Sequence, residues 1–276
     1  MALTVNTNTA SMNALNNLNK TSRSLAGSFQ RISSGLRISQ AKDDAAGLGV
    51  AENLDASEMS ARQAMRNTND GLSLVQVAEG ATAEVGNIIK RMRELAVQSA
   101  SETLDDDERA YIQDEYLQLA DEVDRIASVT EFNGVTLVEG TNTQIGVQVG
   151  ISDSAADQIS LTMGDLRSTV VGIDTGSIDL STASGAVSAL ATLDTALDTI
   201  NSYRSDYGAM ANRLDSALGN LETYTENIAA AQSQIRDADF AYETAEMSKL
   251  QIMQQAGLSV LSQANSLNQG VLALIQ

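Results

Sequence analysis

The sequence predicts a mainly α fold: a long antiparallel coiled-coil hairpin of N- and C-terminal helices with a small β-hairpin region at its tip. Three observations carry that reading. Between Leu190 and Ile235, positions stepping by three and four read Leu190, Leu193, Leu197, Ile200, Arg204, Tyr207, Ala211, Leu214, Leu218, Leu221, Thr225, Ile228, Gln232 and Ile235, eleven of the fourteen apolar. Such a seam is the mark of a coiled coil, and a helix carrying one must lie against another. The partner is upstream, where Ala61, Met65, Thr68, Leu72, Val75, Val85, Ile88, Ile89, Met92 and Leu95 keep a similar spacing around a weaker centre at Glu79 and Thr82. Third, the 276 residues include no Pro, no Cys, no His and no Trp, and only 3% are aromatic. Without Pro the commonest helix breaker is missing, and so few aromatics suit a thin bundle of Ala, Leu, Ile, Val and Met.

The first element is a helix through Leu15, Leu18, Ser22, Leu25, Phe29, Ile32 and Leu36, set among Asn, Ser and Thr and therefore of marginal intrinsic stability. Gly35 interrupts it, and Asp43 or Asp44 offers an N-cap for the long helix that follows, expected to run to about Ser101. Thr103 with Asp105, Asp106, Asp107 and Glu108 reads as the capped start of another helix, because carboxylates favour the positive end of the helix dipole. Its expected apolar face is Tyr111, Ile112, Tyr116, Leu119, Val123 and Ile126. The same acidic run lacks the ligand spacing and central Gly of a calcium loop.

The period changes at Asn133-Gly134, a pair that supplies the positive φ of a tight turn. Residues 144–149 and 158–162 alternate and read as short strands, and residues 164–185 read as loop. After the seam comes a last helix through Met247, Leu250, Met253, Val260, Leu261, Ala264, Leu267, Val271, Leu274 and Ile275. A lone helix buries none of this stripe, so both chain ends are expected to be disordered in the free subunit and to fold only against partner helices. The expected division is an inner discontinuous domain of residues 1–42 with 240–276, and an outer bundle of residues 43–239 with its β-rich tip at about 133–185.

Charge and composition narrow the function. Residues 1–42 carry five cations and no acid, and residues 247–276 carry only Lys249, which leaves eleven cations against all 36 acids between them, a charge of −25 in that middle region. Such a surface repels nucleic acid. With neither Cys nor His there is no thiol nucleophile, disulfide, imidazole base or usual zinc ligand, and no Gly-rich phosphate loop or cofactor motif is present, so an enzyme is not expected. The first residues show no cationic and apolar leader, and no run is long and apolar enough to insert in a membrane.

Two end segments then stand out: Arg31-Ile32-Ser33-Ser34-Gly35-Leu36-Arg37-Ile38 with Ala41-Lys42-Asp43-Asp44-Ala45-Ala46-Gly47-Leu48, and Met247-Ser248-Lys249-Leu250-Gln251-Ile252-Met253-Gln254-Gln255-Ala256-Gly257 with Ser259 to Asn265. Together with Asn69-Asp70-Gly71 and Arg93 to Ser99, they resemble bacterial flagellin, the subunit of the flagellar filament, in a compact form without outer variable domains. The resemblance covers roughly residues 1–140 and 185–276.

It implies a structural subunit that polymerises for swimming motility, is exported unfolded through the flagellar secretion apparatus, and resides outside the cell. The implied partners are further copies of the chain, the export apparatus, an export chaperone, and the filament cap and junction proteins. Leu15, Leu18, Leu25, Phe29, Ile32, Leu250, Met253, Val260, Leu261, Leu267, Val271 and Leu274 would form the polymerising terminal coiled coil. Gly35, Lys42, Asp43 and Asp44 would connect the inner and outer layers. In some flagellins a vertebrate innate immune receptor grips the outer-layer helices, and the matching positions are Arg91, Leu95 and Glu115, with Lys90 replacing a family Gln; the same face is expected to pack between protofilaments. The competing readings are a hook-filament junction protein, which should not keep both end strings in full, and a secreted binding module, which should have ordered ends and a defined pocket.

Overall fold

The computed structural model describes residues 7–174, 176 and 178–273, with side chains of the last helix described to residue 266. Among the described residues, six α-helices and four short strands follow in the order α1 (Thr9–Ser34), α2 (Ala45–Ser99), α3 (Asp106–Val129), β1 (Glu131–Phe132), β2 (Val135–Thr136), β3 (Gln144–Gln148), β4 (Gln158–Thr162), α4 (Ser168–Val171), α5 (Ala183–Arg236) and α6 (Phe240–Ala273). The fold class is the expected one. By packing, the chain divides into two units, one of residues 1–58 with 227–276 and one of residues 59–226. The boundary falls within the long helices α2 and α5, whereas the breaks near residues 35–44 and 237–239 lie inside the first unit.

In the unit of residues 59–226, α2 and α5 run antiparallel. Thr225 meets Met65, Arg204 meets Glu79, Ile200 meets Gly86, and Asp194 meets Arg93. Val75, Val85, Ile89, Met92 and Leu95 of α2 face Leu193, Ile200, Tyr207 and Leu214 of α5 in one core. The weaker centre of the α2 stripe is a polar layer: Thr82 is buried and returns its hydroxyl to the Ala78 carbonyl at 2.7 Å, and Tyr207 accepts the Gly164 N–H at 2.9 Å.

Helix α2 ends at Ser99, and the cap of α3 is Asp105, not Thr103. Asp105 accepts from the Glu108 N–H at 2.8 Å while Glu108 reaches back to Asp105, a reciprocal capping box. Ile112, Tyr116, Val123 and Ile126 are buried as expected, but Tyr111 is 74% exposed. It lies about 100° round the helix from Ile112 and falls off the stripe.

Strands β1 and β2 form a hairpin closed by Asn133 (φ 51°) and Gly134 (φ 75°), the turn that Asn-Gly favours. Strands β3 and β4 pair antiparallel with Val147 opposite Ile159, and Val147 packs on Gly71 of α2, where a β-carbon would come within 3.0 Å of it. Residues 164–185 are largely loop, with α4 inside them. Leu166, Val171, Ile173, Ile178 and Leu180 of this segment are core residues, fastened by the Tyr116 hydroxyl to the Ile173 carbonyl at 2.8 Å and by the Leu180 N–H to Gln113 at 2.7 Å.

Candidate functional site

Among the described residues no group of carboxylates is placed to hold a metal ion, and no helix is long and apolar enough to cross a membrane. The terminal-helix and connector residues singled out by sequence lie instead in the unit of residues 1–58 and 227–276. Here α1 and α6 lie side by side, antiparallel. Asn8, which caps α1 by accepting from the Ser11 N–H at 3.0 Å, donates its amide to the Ala264 carbonyl at 3.0 Å. Leu18 abuts Gly257, Gln254 donates to the Ser22 hydroxyl at 3.4 Å, and Arg31 meets Glu243. Each step toward the C-terminus on one helix is matched by a step back on the other, so the register is continuous.

Only one side of this pair is covered. Leu250 is buried, and Leu18, Leu25, Ile32 and Leu261 are half-buried between the helices. Leu15, Phe29, Met253 and Val260 are exposed, Phe29 by 66%. Met12, Ile252 and Leu258 join them, three residues the spacing argument did not single out. Leu267, Val271 and Leu274 lie outside the residues whose side chains are described. A two-helix layer has a single seam, so residues on the outer flanks of both stripes stay in water unless further helices arrive.

The segment expected to act as a connector packs the two breaks in the chain together. Gly35 ends α1 in the left-handed conformation (φ 74°) and gives its N–H to the Arg31 carbonyl at 2.9 Å, a C-cap that a β-carbon would strain. Asp43 folds the turn by accepting from the Gln40 N–H at 3.1 Å. Asp44 caps α2 through the Ala46 and Gly47 N–H groups at 3.1 and 2.9 Å, while Lys42 stays exposed. Across from them, Asp239 caps α6 through the Ala241 and Tyr242 N–H groups. The two breaks are joined by an antiparallel bridge between Leu36 and Asp237, with Arg37 donating to the Arg236 carbonyl at 2.6 Å and Ala238 to the Gly35 carbonyl at 2.9 Å. The Arg37 guanidinium also bonds the Ile235 carbonyl near the end of α5.

Beside this bridge sits a clamp that sequence reasoning missed. Glu243 is 5% exposed and takes Nε and Nη2 of Arg31 on its two oxygens at 2.6 and 3.1 Å. Nη2 also reaches the buried Ser28 hydroxyl at 3.2 Å. The hydrogen bonds to Glu243 raise the Arg31 pKa further above its already high value, so the guanidinium stays charged. The signal available in sequence was Arg31 at the head of the first end string; nothing local marks Glu243.

In the other unit, Arg91 and Glu115 come together, paired at 2.8 Å with about half of each side chain exposed, and Arg91 also reaches Glu94 at 3.0 Å. Leu95 is 1% exposed and belongs to the core, so of these expected interface residues only Arg91 and Glu115 share the surface.

The fold is mainly helical, and the sequence-predicted terminal residues that stay exposed lie on the uncovered flank of a helix pair. The chain matches the bacterial flagellin N-terminal helical region over residues 5–143 and the bacterial flagellin C-terminal helical region over residues 190–275. It is 39% identical to a flagellin of Halalkalibacterium halodurans, covering 99% of each chain. With a flagellin of Bacillus subtilis it shares 36% identity, again over 99% of each. The crystal structure of Bacillus cereus flagellin superposes with a TM-score of 0.50 at 35% identity, over 60% of this chain and 94% of that one. The chain belongs to the bacterial flagellin family.

Proposed function

We propose that this chain is the subunit of a bacterial flagellar filament, exported unfolded through the flagellar secretion apparatus with the help of an export chaperone and assembled outside the cell, beneath the filament cap and beyond the junction proteins, for swimming. One observation carries the reading: α1 and α6 pair in register yet leave Leu15, Phe29, Met253 and Val260 exposed. Copies that pack these flanks together bury them, and because the contacts are made between unlike surfaces they need not close, which gives an open helical polymer. The connector residues Gly35, Lys42, Asp43 and Asp44 then join an inner layer of terminal helices to an outer layer.

The test is electron microscopy of purified subunit with short filament seeds, beside subunit trimmed by protease at both ends. Intact chain should lengthen the seeds and trimmed chain should not. Intact chain that stays monomeric under polymerising conditions would instead support a junction protein or a binding module. The exposed Arg91–Glu115 pair supports a second contact, with a vertebrate innate immune receptor. Arg91→Ala should weaken receptor signalling, and an unchanged dose response would remove it.

A further inference from the structure

In the unit of residues 59–226, a cavity of about 350 Å³ opens between the β3–β4 hairpin and α5. Its lining includes the apolar Val149, Ile151 and Leu221 together with Tyr224, Asn220 and Asp157. The hairpin is shaped for it. The Val149 and Gly150 N–H groups both donate to the Asp157 carbonyl, and Gly150 is needed because a β-carbon there would lie 2.2 Å from the Asp157 carboxyl carbon. One Asp157 oxygen accepts from the Ser152 N–H at 2.8 Å, and the other accepts from none of the described residues.

A free charge lies alongside. Arg213 precedes Ala217, Asn220, Leu221 and Tyr224 at helical spacing and so shares their face of α5. It is exposed and makes no ion pair among the described residues, whereas Arg91, Arg93, Arg125, Arg167 and Arg204 of the same unit are each held by a carboxylate. On another surface, Tyr111 of α3 is 74% exposed, more than any other exposed large apolar side chain described. Exposed Asp107 and Asp114 flank it on the same helix face, four residues before and three after.

We propose that the cavity receives Tyr111 of a second copy of this chain. The ring packs on Leu221 and Ile151, the phenol donates to the free oxygen of Asp157, and Asp107 or Asp114 meets Arg213. An aromatic anchor entering a pocket with a polar end is the usual form of an energetic centre at an interface. Charge favours this occupant, since two exposed carboxylates accompany Tyr111 and Arg213, without an ion pair among the described residues, lies one helical turn from the cavity lining. Knob and hole are different surfaces, so every copy both gives and receives and the contact propagates without closing. The inference rests on the filament reading and names one contact within it.

The test uses the full chain, which contains no cysteine. Copies carrying Tyr111→Cys and copies carrying Asn220→Cys are grown together on seeds and treated with a short bismaleimide. The expected product is a cross-linked pair joining the two variants, absent from unpolymerised mixtures. In parallel, Tyr111→Ala, which alters an exposed position, should raise the critical concentration for growth by about tenfold, and Tyr111→Phe by less. If parent chains grow filaments but Tyr111→Ala grows identically, or residue 111 cross-links elsewhere than residue 220, the contact is wrong and the filament reading stands. If parent chains never grow on seeds, both fall together.

Discussion

Glu243→Gln isolates the clamp at the root of the terminal helix pair. The parent carboxylate accepts two guanidinium N–H groups, at 2.6 and 3.1 Å, with its side chain 7% exposed against 30% for Arg31. A glutamine keeps one oxygen for Nε but turns its amide nitrogen toward Nη2, placing donor against donor. One charge-assisted hydrogen bond is then lost outright and the other loses its ionic part. Such bonds contribute about 1.5 to 3 kcal/mol each, and Arg31 recovers some of this by turning toward water, so the net cost is about 2 kcal/mol per subunit. If the terminal helices fold only on assembly, that cost falls on the polymer and raises the critical concentration about thirtyfold. Sedimentation of seeded filaments over a range of subunit concentrations reads it directly. Lys249→Gln is the control, because the Lys249–Glu246 pair lies within one helix turn with the lysine 62% exposed and should shift assembly little. If the free subunit already holds the clamp, the loss appears instead as earlier melting of its terminal helices. A Glu243→Gln chain equal to the parent in both assays refutes the reasoning.

Two further outcomes follow from the same geometry. Leu261→Asp places a charge on the half-buried stripe of α6 and should leave a soluble, helical subunit that does not add to seeds; normal filaments from it would sink the terminal-helix interface. Burial pushes the Tyr116 phenol well above its ordinary range, aided by nearby Asp174, and burial likewise raises Tyr207 despite the Gly164 N–H and Thr82. Because the folded chain resists ionisation that the unfolded chain accepts, the stability these phenols contribute is complete below about pH 10 and is lost as pH rises beyond it. Thermal melts between pH 8 and 11 should show that fall, and Tyr116→Phe should flatten it.

What sequence could reveal depended on period. The α2 and α5 seams were legible because a 3.5-residue repeat survives even where Thr82, Arg204 and Thr225 interrupt it, and Asn133-Gly134 was legible because a positive φ demands particular residues. Asp44 could be read as a cap for the same local reason. The loop core of Leu166, Ile173, Ile178 and Leu180 has no period, since each side chain turns inward by its own route and the backbone is held by distant Tyr116 and Gln113. Buried charges were illegible for another reason. Arg109 resembles any surface arginine of an acidic helix, yet it is 7% exposed and spends its donors on the Ser99 and Ser101 carbonyls at the end of α2, where a cation also suits the helix dipole. Glu243 is defined by Arg31, 212 positions away in sequence. Tyr111 was placed on the wrong face because Tyr111 and Ile112 are adjacent, and only one of two neighbours falls on a stripe.

The charge pattern sets a further condition on assembly. The ion pairs of Arg91, Arg93, Arg125 and Arg204 are all substantially exposed, so they add little stability, but they consume cations within the chain. Residues 43–246 keep their net charge of −25, while Lys20 and Arg23 of α1 carry positive charge with no partner among the described residues. Copies brought together repel through the first and gain little from the second. A single favourable meeting at Arg213 contributes at most about 1 kcal/mol and does not offset a field of that size. Added salt shortens the reach of the repulsion, from about 30 Å at 0.01 M to about 8 Å at 0.15 M, without weakening the burial of Leu15, Phe29, Met253 and Val260. The critical concentration for growth should accordingly fall as ionic strength rises over that range. A rise would mean that attraction between opposite charges, and not apolar burial, drives the copies together.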